Sequence, residues 1–503
     1  MNGCGSGGVA ARFALGLAAL LLPLAAHAAS KRPDPVEAAL RQHIEILASD
    51  DFDGREPGTE GETKTLRYLA REWFDMGLVS GTNIPGKDWF APVVLVAREP
   101  LTHRASFLRG KKKLSLPAQS LFLVTSGLRA VVQSAPVLFV GLAGGPVPPR
   151  TELVGRIALM LDGPAPQDRA DRAGALLDGG AAAVITVLDG ETTIEGIVAR
   201  RQRAGYALAG ETLSDDMEGF LAPAGLAALL PSGTDLGSLQ REARGPQFSP
   251  RLLGVTGSLE ATSKETRINT HNLIGRIPGR NPDAGAVLLL AHWDHFGECA
   301  APPAEDLICN GAVDNASGVA VITEVARALS RGRQLDRDVY VLATTGEELG
   351  LLGAMAFAEN PPLPLERIVA AFNVDSDALV PRGLPFTVIG RGMTGLDRGI
   401  EAVARKMKRR IVENDDANVY VRRQDIWALM QHDVPTVMVS TAYSDPVRLE
   451  RFMEDTYHRP GDQSAGLELG GTADDVAMHI ELVRYFGSVR SWPATARKPG
   501  GTR

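Results

Sequence analysis

Apolar runs alternate with segments of helical periodicity along the second half of the chain. The apolar runs predict buried strands at residues 269–275, 286–290, 339–343, 368–372 and 436–440. Between them, apolar positions three or four residues apart predict helices at residues 319–329, 351–358, 396–406 and 473–486. Such alternation is typical of an α/β fold in which helices flank a central, mostly parallel mixed sheet.

The first half of the chain follows a different pattern. Two amphipathic helices are predicted within residues 35–78, separated by a polar loop at 50–58 that contains Gly and Pro. From about residue 89 to 140, short apolar runs alternate with Gly, Pro and Ser, which predicts strands and turns. Further on, a strand is predicted at 153–160, a helix at 169–177 and a second strand at 181–187.

These patterns predict three parts after an N-terminal signal. We expect a main domain formed by residues 29–95 and 265–490, interrupted by a β-rich insert at residues 96–264. Residues 491–503 are rich in Pro, Gly and basic side chains, and we expect a disordered tail there.

The N-terminus has the features of a secretory signal. Arg12 precedes an apolar run at residues 13–26, and Ala26-His27-Ala28 fits a small-x-small cleavage site. A membrane anchor is the alternative, but the run is too short to span a bilayer comfortably. We therefore expect cleavage of residues 1–28 and a periplasmic or secreted protein with no stable membrane insertion. Cys4 precedes the apolar run, so it is not placed as a lipid-attachment site.

Composition narrows the function classes. The 503 residues are 44% hydrophobic and 22% charged, which is ordinary for a soluble globular protein. The formal net charge of -7 argues against a general nucleic-acid binder. In an exported chain the close pair Cys299 and Cys309 predicts a disulfide rather than a soft metal site, which would need further thiols or histidines.

Histidines and carboxylates lie at the ends of apolar runs or in loops of the main domain. They are His292 with Asp294, then Asp314, Glu347 with Glu348, Asp375 and finally His458. Polar groups that end buried strands of an α/β sheet lie at its carboxyl edge, where such folds place their sites. His, Asp, Glu, Asp and His form a ligand set for two zinc ions that share one carboxylate.

The order of these residues suggests individual roles. Adjacent side chains in a turn point in different directions, so Glu348 can bind a metal while Glu347 acts as general base and acid. Asp314, on a Gly-bounded turn at a helix start, can bridge two ions, and it can also cap the helix. Asp294 is expected to orient His292, and Asp377 is expected on the surface.

More than one histidine is a candidate for the last ligand of the second metal site. His458 is expected to complete the second metal site, in competition with the histidines at positions 271, 295 and 432. His295 is the most serious rival because it lies so close to His292, but we expect it to contact a ligand rather than the metal.

Several segments resemble the co-catalytic zinc exopeptidase family, which includes bacterial leucyl aminopeptidases and glutamate carboxypeptidase. They are 291–297 (AHWDHFG), 310–318 (NGAVDNASG), 346–353 (GEELGLLG), 373–375 (NVD) and 457–458 (YH). The stretch from 47–55 (LASDDFDGR) to 77–78 (GL) is similar to secreted bacterial members. Within the insert, residues 150–190 resemble a protease-associated domain, which implies a lid or substrate-shaping role.

The resemblance spans residues 35–95 and 265–490 and implies a zinc-exopeptidase, phosphorylase/hydrolase-like fold. It also implies that His292 and Asp375 bind one zinc, Glu348 and His458 the other, and that Asp314 bridges them. The family often has an acidic residue directly before the bridging aspartate, where this chain has Val313.

Two further residues are weaker candidates. The resemblance places Asp425 near the substrate, although Gln424 replaces the serine that often precedes it, and a salt-bridged surface aspartate is the alternative. Tyr457 is expected either to donate a hydrogen bond to the tetrahedral oxyanion or to serve in packing.

The leading hypothesis is a secreted di-zinc aminopeptidase that hydrolyses peptides with a zinc-activated water, although ligand softness does not separate zinc from cobalt or manganese. A carboxypeptidase or amidohydrolase on the same site is the alternative, with Arg422 and Arg423 as a carboxylate pocket. A glutaminyl cyclase relative needs only one zinc, and a receptor-like relative would lack ligands that this chain retains.

Overall fold

The computed structural model describes residues 34–493, apart from 83–88, 164–165, 191, 202–204, 211–214 and 414, together with residues 1, 5 and 8. The predicted signal peptide, including Cys4, and residues 494–503 of the predicted tail otherwise lie outside the described residues. Cleavage, export and tail disorder therefore stay predictions.

The helices of the described chain flank one large sheet. They are α1 (Pro35–Leu47), α2 (Glu60–Asp75), α3 (Arg150–Leu153), α4 (Pro166–Asp178), α5 (Ile194–Arg201), α6 (Pro223–Leu229), α7 (Leu236–Ala243), α8 (Gly318–Ser330), α9 (Leu352–Glu359), α10 (Asp397–Met407), α11 (Asp425–Met430), α12 (Pro446–Asp455) and α13 (Leu469–Phe486). Short 3₁₀ helices include Asp50–Arg55 and Asp416–Arg423. Over the described ranges, no helix is long and apolar enough to cross a bilayer.

The strands are β1 (Val79–Ser80), β2 (Phe90–Arg109), β3 (Lys112–Leu114), β4 (Leu121–Thr125), β5 (Arg129–Leu142), β6 (Ile157–Leu161), β7 (Ala183–Val187), β8 (Gly205–Leu208), β9 (Met217–Leu221), β10 (Arg251–Ile277), β11 (Ala286–His292), β12 (Gly297–Glu298), β13 (Ile308–Cys309), β14 (Asp338–Thr344), β15 (Ile368–Asn373), β16 (Thr387–Ile389) and β17 (Thr436–Ser440). Apart from the hairpin β12–β13, they form one sheet, whose main path is β16-β17-β15-β11-β14-β10-β5-β6-β7-β9-β4.

The centre of the sheet is parallel, as the strand and helix alternation predicts. β11 pairs in parallel with β14 and β15, and β15 pairs in parallel with β17. Every residue of β11 is buried. This uniform burial explains the continuous apolar run, because helices cover both faces of a parallel sheet.

Two long strands join the halves of the sheet. β2 and β10 pair antiparallel from Phe90 opposite Leu273 to Leu108 opposite Thr256. β10 pairs with β14 at one end and with β5 at the other. The expected limits of the insert, at residues 95/96 and 264/265, therefore fall inside β2 and β10 rather than in loops.

The limits of two predicted elements differ from the structure. The short apolar run at residues 93–96, expected as one of the short strands between residues 89 and 140, lies within the 20-residue strand β2, whose polar middle is exposed. Leu153 ends helix α3, and the strand of this region begins only at Ile157. In both places exposure and tertiary pairing, rather than local hydrophobicity, set the limits of the element.

Candidate metal centre

The carboxyl ends of three parallel strands bring the candidate residues together. His292 ends β11 and lies in register with Thr344 at the end of β14. Asn373 ends β15 opposite Leu290 of β11. Because parallel strands end at the same edge of a sheet, the residues that follow β14 and β15, Glu347 and Asp375 among them, converge on His292.

Asp314 reaches this edge from the irregular helical turn Ala312–Ser317, which precedes α8. The backbone N–H groups of Val313 and Asp314 donate hydrogen bonds of 2.9 and 3.0 Å to the buried carboxylate of Asp462. A Cβ added at Gly318 would lie 2.4 Å from the carbonyl oxygen of Val374, so the turn needs glycine at its end. The carboxylate of Asp462 thus fixes the position of the turn.

The carboxylate of Asp314 lies between two imidazoles. Its Oδ1 is 3.2 Å from His292 Nε2, and its Oδ2 is 3.3 Å from His458 Nε2. Asp375 Oδ1 lies 3.4 Å from the same nitrogen of His292. Glu348 Oε2 lies 3.0 Å from the same nitrogen of His458. The five side chains therefore form two groups of three ligand atoms that share Asp314.

These residues fit a pair of zinc ions. The Nε2 atoms of His292 and His458 are buried and have no hydrogen-bond partner among the described residues. Ligands held about 2.1 Å from a tetrahedral zinc lie about 3.4 Å from one another, close to the separations seen in both groups. Buried imidazole nitrogens that face carboxylates in this way are suited to a divalent cation.

Glu347 lies beside the group around His292. Its Oε2 is 3.9 Å from His292 Nε2, and the side chain is only 8% exposed. Burial raises its pKa well above the ordinary value for a glutamate. Its backbone N–H donates a 3.2 Å hydrogen bond to Asp294 Oδ1, which holds the turn after β14 against the loop after β11.

Asp294 contacts His292 in a way that sequence did not anticipate. The Nδ1 of His292 lies 3.2 Å from the main-chain oxygen of Asp294, while the carboxylate Oδ1 is 3.8 Å away. Burial raises the pKa of Asp294 to about 7. Asp294 therefore faces both His292 and the backbone of Glu347.

The imidazoles and carboxylates shift each other's pKa. Burial alone would raise the pKa of Asp314, but its contacts with His292 and His458 hold it well below its usual range. Burial alone would lower the pKa of His458, but Asp314 and Glu348 raise it to about 9. Each imidazole is thus in a strongly negative environment, which is what a bound cation would neutralise.

The Nδ1 atom of His295 lies 2.5 Å from Glu348 Oε1. His295 thus contacts a candidate ligand, as expected. Asn315 joins two ligand segments, because its amide donates to the Val374 carbonyl and accepts from the N–H of Ser376, which follows Asp375. Sequence reasoning gave no role to Asn315, Asp462 or Arg55. Asn315 directly follows Asp314, Asp462 comes four residues after His458, and Arg55 ends the segment 47–55 that resembles secreted bacterial members of the family.

The expectation that Asp377 lies on the surface was wrong. Asp377 is fully buried, and its Oδ1 accepts a 2.6 Å hydrogen bond from Ser440 Oγ at the end of β17. Burial raises its pKa to about 7. The loop after β15 turns inward here, which no local pattern in the sequence indicates.

Asp425 is not the salt-bridged surface aspartate of the alternative interpretation. It is 1% exposed, and its Oδ2 accepts a 2.5 Å hydrogen bond from Thr344 Oγ1 at the end of β14. Its Oδ1 is buried, and no residue that the structure describes forms a hydrogen bond with it. Burial raises its pKa to about 6.

Tyr457 lies against the metal centre. Its ring stacks on His458 with centroids 3.6 Å apart, and its hydroxyl accepts a 3.3 Å hydrogen bond from Arg423. Burial raises the pKa of Tyr457, so the hydroxyl stays protonated. Arg422 instead stacks over Trp427 at 5.0 Å.

The predicted disulfide between Cys299 and Cys309 is confirmed. Their Cα atoms are 5.7 Å apart, and the bond joins residues next to and within the hairpin β12–β13. Asn310 and Gly311 follow directly and lead into the turn of Asp314. The disulfide therefore closes the loop between the His292 and Asp314 segments.

Comparison with known proteins is consistent with this geometry. Residues 272–481 match the family model described as "Peptidase family M28". Mouse (Mus musculus) "Aminopeptidase NAALADL1" is 32% identical over 140 residues, which cover 26% of this chain and 17% of that protein. A "Vacuolar membrane protease" of Pyricularia oryzae is 28% identical over 139 residues, 24% of this chain and 13% of the relative. The chain thus spans less than a fifth of these curated relatives.

A solved structure shares the fold over most of the chain. The aminopeptidase from Aneurinibacillus sp. strain AM-1 superposes with a TM-score of 0.51 at 17% sequence identity. The superposition covers 89% of this chain and 93% of that one. At this identity the likeness shows a common architecture.

Proposed function

We propose that this chain, whose residues 272–481 form a peptidase family M28 domain, is an exported di-zinc exopeptidase that removes residues from the N-termini of peptides. The observation that carries the proposal is the carboxylate of Asp314, whose two oxygens each face the buried Nε2 atom of a different imidazole. One carboxylate shared between two such groups is the arrangement of a two-metal hydrolase.

We assign the ligands from the distances. His292 and Asp375 would hold one zinc, Glu348 and His458 the other, and Asp314 would bridge them. A zinc pair, when bound, supplies Lewis-acid polarisation of the scissile carbonyl and lowers the pKa of water. His295 and Asp462 would hold Glu348 and Asp314 in place, because the partners of metal ligands set their orientation.

Glu347 would act as the general base and acid. Its carboxylate lies at the rim of the His292 group without being one of the closest ligands, so it is free to take a proton from water and deliver it to the leaving amine. Burial raises the pKa of Glu347 above the ordinary glutamate value, which makes its carboxylate a stronger base. Asp294 would hold the Glu347 backbone and face the ring of His292.

Two side chains would contact the substrate. The protonated hydroxyl of Tyr457, beside His458, would donate to the developing oxyanion. Asp425, whose Oδ1 is buried without a partner, would accept from the substrate's α-ammonium group, since unpaired buried acceptors are costly unless a ligand satisfies them. Recognition of the free amine is what separates an aminopeptidase from an endopeptidase.

The insert would shape this site. We propose a peptidase domain of residues 29–95 and 265–490 and a protease-associated-like domain of residues 96–264. Support comes from separate buried clusters, one around β5, β6 and β7 and another around α8 and α13. In addition, β8 pairs with β2, and Leu208 packs against Leu352, which begins the helix after Glu347 and Glu348.

A peptide ladder would test the activity. The purified chain is incubated with one unblocked peptide, with zinc or with a chelator, and the products are weighed by mass spectrometry. Shortening from the N-terminus that stops on N-acetylation and on chelation is expected. Endoproteolytic fragments, or cleavage that persists without metal, would contradict the proposal.

Arg423 supports a carboxypeptidase as the second candidate. In the part of the chain that the structure describes, it has no carboxylate within ion-pair distance, and its guanidinium lies 5.9 and 5.7 Å from the ring centres of Tyr420 and Tyr457. A guanidinium held in this way suits a substrate carboxylate. A ladder shortened from the C-terminus, blocked by C-terminal amidation and lost in Arg423→Gln, would establish this candidate instead.

A further inference from the structure

Arg55 ends the 3₁₀ helix Asp50–Arg55 and is 1% exposed. Its guanidinium donates four hydrogen bonds, all to main-chain carbonyl oxygens. Their acceptors and distances are Leu47 at 2.9 Å, Trp293 at 2.8 Å, Asn310 at 2.5 Å and Gly311 at 2.9 Å. One side chain therefore joins the end of α1 to two separate loops of the metal centre.

Those two loops carry the ligands. Trp293 lies between His292 and Asp294, so its carbonyl moves with both side chains. Gly311 lies three residues before Asp314, at the start of the turn that positions the bridging carboxylate. Only the planar fork of an arginine has enough donors in fixed directions to hold both loops at once, since a lysine ammonium has three donors at a single point.

The local backbone is shaped to deliver this side chain. Asp53, Gly54 and Arg55 have consecutive positive φ angles of 46°, 57° and 54°. A Cβ at Gly54 would lie 2.4 Å from the carbonyl oxygen of Cys309, so the segment presses against the disulfide-closed hairpin. Left-handed conformations at non-glycine residues are costly and persist where the surrounding structure requires them.

The positive charge of Arg55 also interacts with the buried carboxylates of the metal centre. Across the described residues, no carboxylate lies within ion-pair distance of it, yet Asp462, Asp314 and other buried carboxylates act on it electrostatically. Burial lowers the pKa of Arg55 to about 10, so it remains charged at neutral pH. A buried cation is costly without compensation, and here the acidic centre compensates it.

We propose that Arg55 is a positioning residue of the metal centre, which sets the spacing between the His292 and Asp314 loops and thereby the affinity for metal. The inference rests on the proposed function, because it requires that these loops bind metal. The four hydrogen bonds of the Arg55 guanidinium all go to main-chain oxygens, so Arg55 holds the ligand loops through their backbone.

Arg337 supplies a matched control. It is also 1% exposed and donates to main-chain carbonyls, those of Ala284, Phe486 and Trp492. It precedes β14, at the edge of the sheet opposite the metal centre. Arg55→Lys and Arg337→Lys therefore remove comparable buried hydrogen bonds at opposite ends of the same domain.

The test uses the full chain in three forms: wild type, Arg55→Lys and Arg337→Lys. Metal is removed, and Zn²⁺ is titrated back against a chromophoric chelator, while Co²⁺ absorption spectra report ligand geometry. Urea unfolding of the metal-free forms measures stability. We expect Arg55→Lys to weaken metal binding about 10- to 100-fold and to alter the Co²⁺ spectrum. Arg337→Lys should lose stability while keeping wild-type metal affinity and spectrum.

The outcomes separate this inference from the proposed function. Wild type that binds no metal would refute the function itself. Wild type with two ions and an Arg55→Lys variant of unchanged affinity would overturn only the role of Arg55, as would an equal loss in Arg337→Lys.

If Arg55→Lys does not fold, hydrogen exchange measured on the wild type with and without metal tests the proposal instead. Metal should protect residues 47–58 together with both ligand loops. An unchanged exchange rate in residues 47–58 would overturn the proposal.

Discussion

Glu347 and Glu348 are neighbours, but the same substitution should affect a different property at each: the catalytic rate at Glu347 and metal binding at Glu348. Glu347→Gln keeps the shape of a buried side chain and leaves its backbone hydrogen bond to Asp294 in place. Because its nearest approach to His292 Nε2 is 3.9 Å, compared with 3.0 to 3.4 Å for the ligands, we expect both ions to stay bound. The amide cannot accept a proton, so kcat should fall.

The size of this loss follows from the role. General acid–base catalysis contributes about 10²- to 10⁴-fold in rate. We therefore expect kcat for Glu347→Gln to drop about 10³-fold, which corresponds to about 4 kcal/mol of transition-state stabilisation. KM should change little, because Glu347 makes no contact that the substrate needs in order to bind.

Glu348→Gln should lose activity for a different reason, because the substitution weakens metal binding. Glu348 Oε2 lies 3.0 Å from His458 Nε2, and its Oε1 lies 2.5 Å from His295 Nδ1. Loss of this carboxylate removes one ligand of the group that contains His458. The bound metal should fall from two equivalents towards one, with the remaining ion at the His292 group.

Elemental analysis of the dialysed variants and steady-state kinetics on one peptide would measure both effects. A Glu347→Gln enzyme within tenfold of wild-type kcat would refute the assignment of the base. A Glu348→Gln protein that retains two equivalents would refute the assignment of the ligands. An Asp377→Asn variant, buried but outside both groups, serves as the control and should keep its metal.

Three further outcomes are expected. Removal of metal should abolish hydrolysis and lower the free energy of unfolding by about 4 kcal/mol for each ion that is held at a thousandfold excess of metal over its Kd. Urea titration with and without chelator would show this loss, and equal stability in both would contradict a metal centre. The double variant Cys299→Ser/Cys309→Ser should lose about 3 kcal/mol in the same assay, because the disulfide spans a sequence separation of 10, and an unchanged midpoint would contradict this. Burial lowers the pKa of His479 from 6.5 to about 4, so its contribution to stability is complete above pH 6.5 and is lost as the pH falls towards 4. Across pH 6.5 to 4.5 the wild type should therefore lose about 2 to 3 kcal/mol more than His479→Gln, and parallel pH profiles of the two proteins would contradict the assignment.

Local sequence patterns were sufficient for much of the fold. The strand at residues 286–290 and the helix at 319–329 were predicted within one or two residues of β11 and α8, because continuous apolar runs and helical periodicity directly reflect burial. The disulfide was predicted from a close cysteine pair in a chain with an apparent export signal. The grouping of His292, Glu347 and Asp375 followed from their positions at the ends of successive strands, since parallel strands end at one edge.

Long-range contacts decided what local patterns did not. The length of β2 depends on pairing with β10, more than 150 positions away, and its polar middle gives no local sign of a strand. Asp377 was expected on the surface because it is the second carboxylate after the strand, two residues beyond the candidate ligand Asp375. Its buried carboxylate accepts a hydrogen bond from Ser440, which lies at the end of a different strand, β17.

The sequence by itself determined which residues were available for metal chemistry, because ligand types and their order along the chain are written directly in it. Only the tertiary structure decided how the oxygens of Asp314 divide between two imidazoles and which groups hold the loops in place. Arg55 and Asp462 act through main-chain groups of distant segments. Hydrogen bonds to the backbone are possible at any residue type, so no sequence pattern marks the residues that receive them.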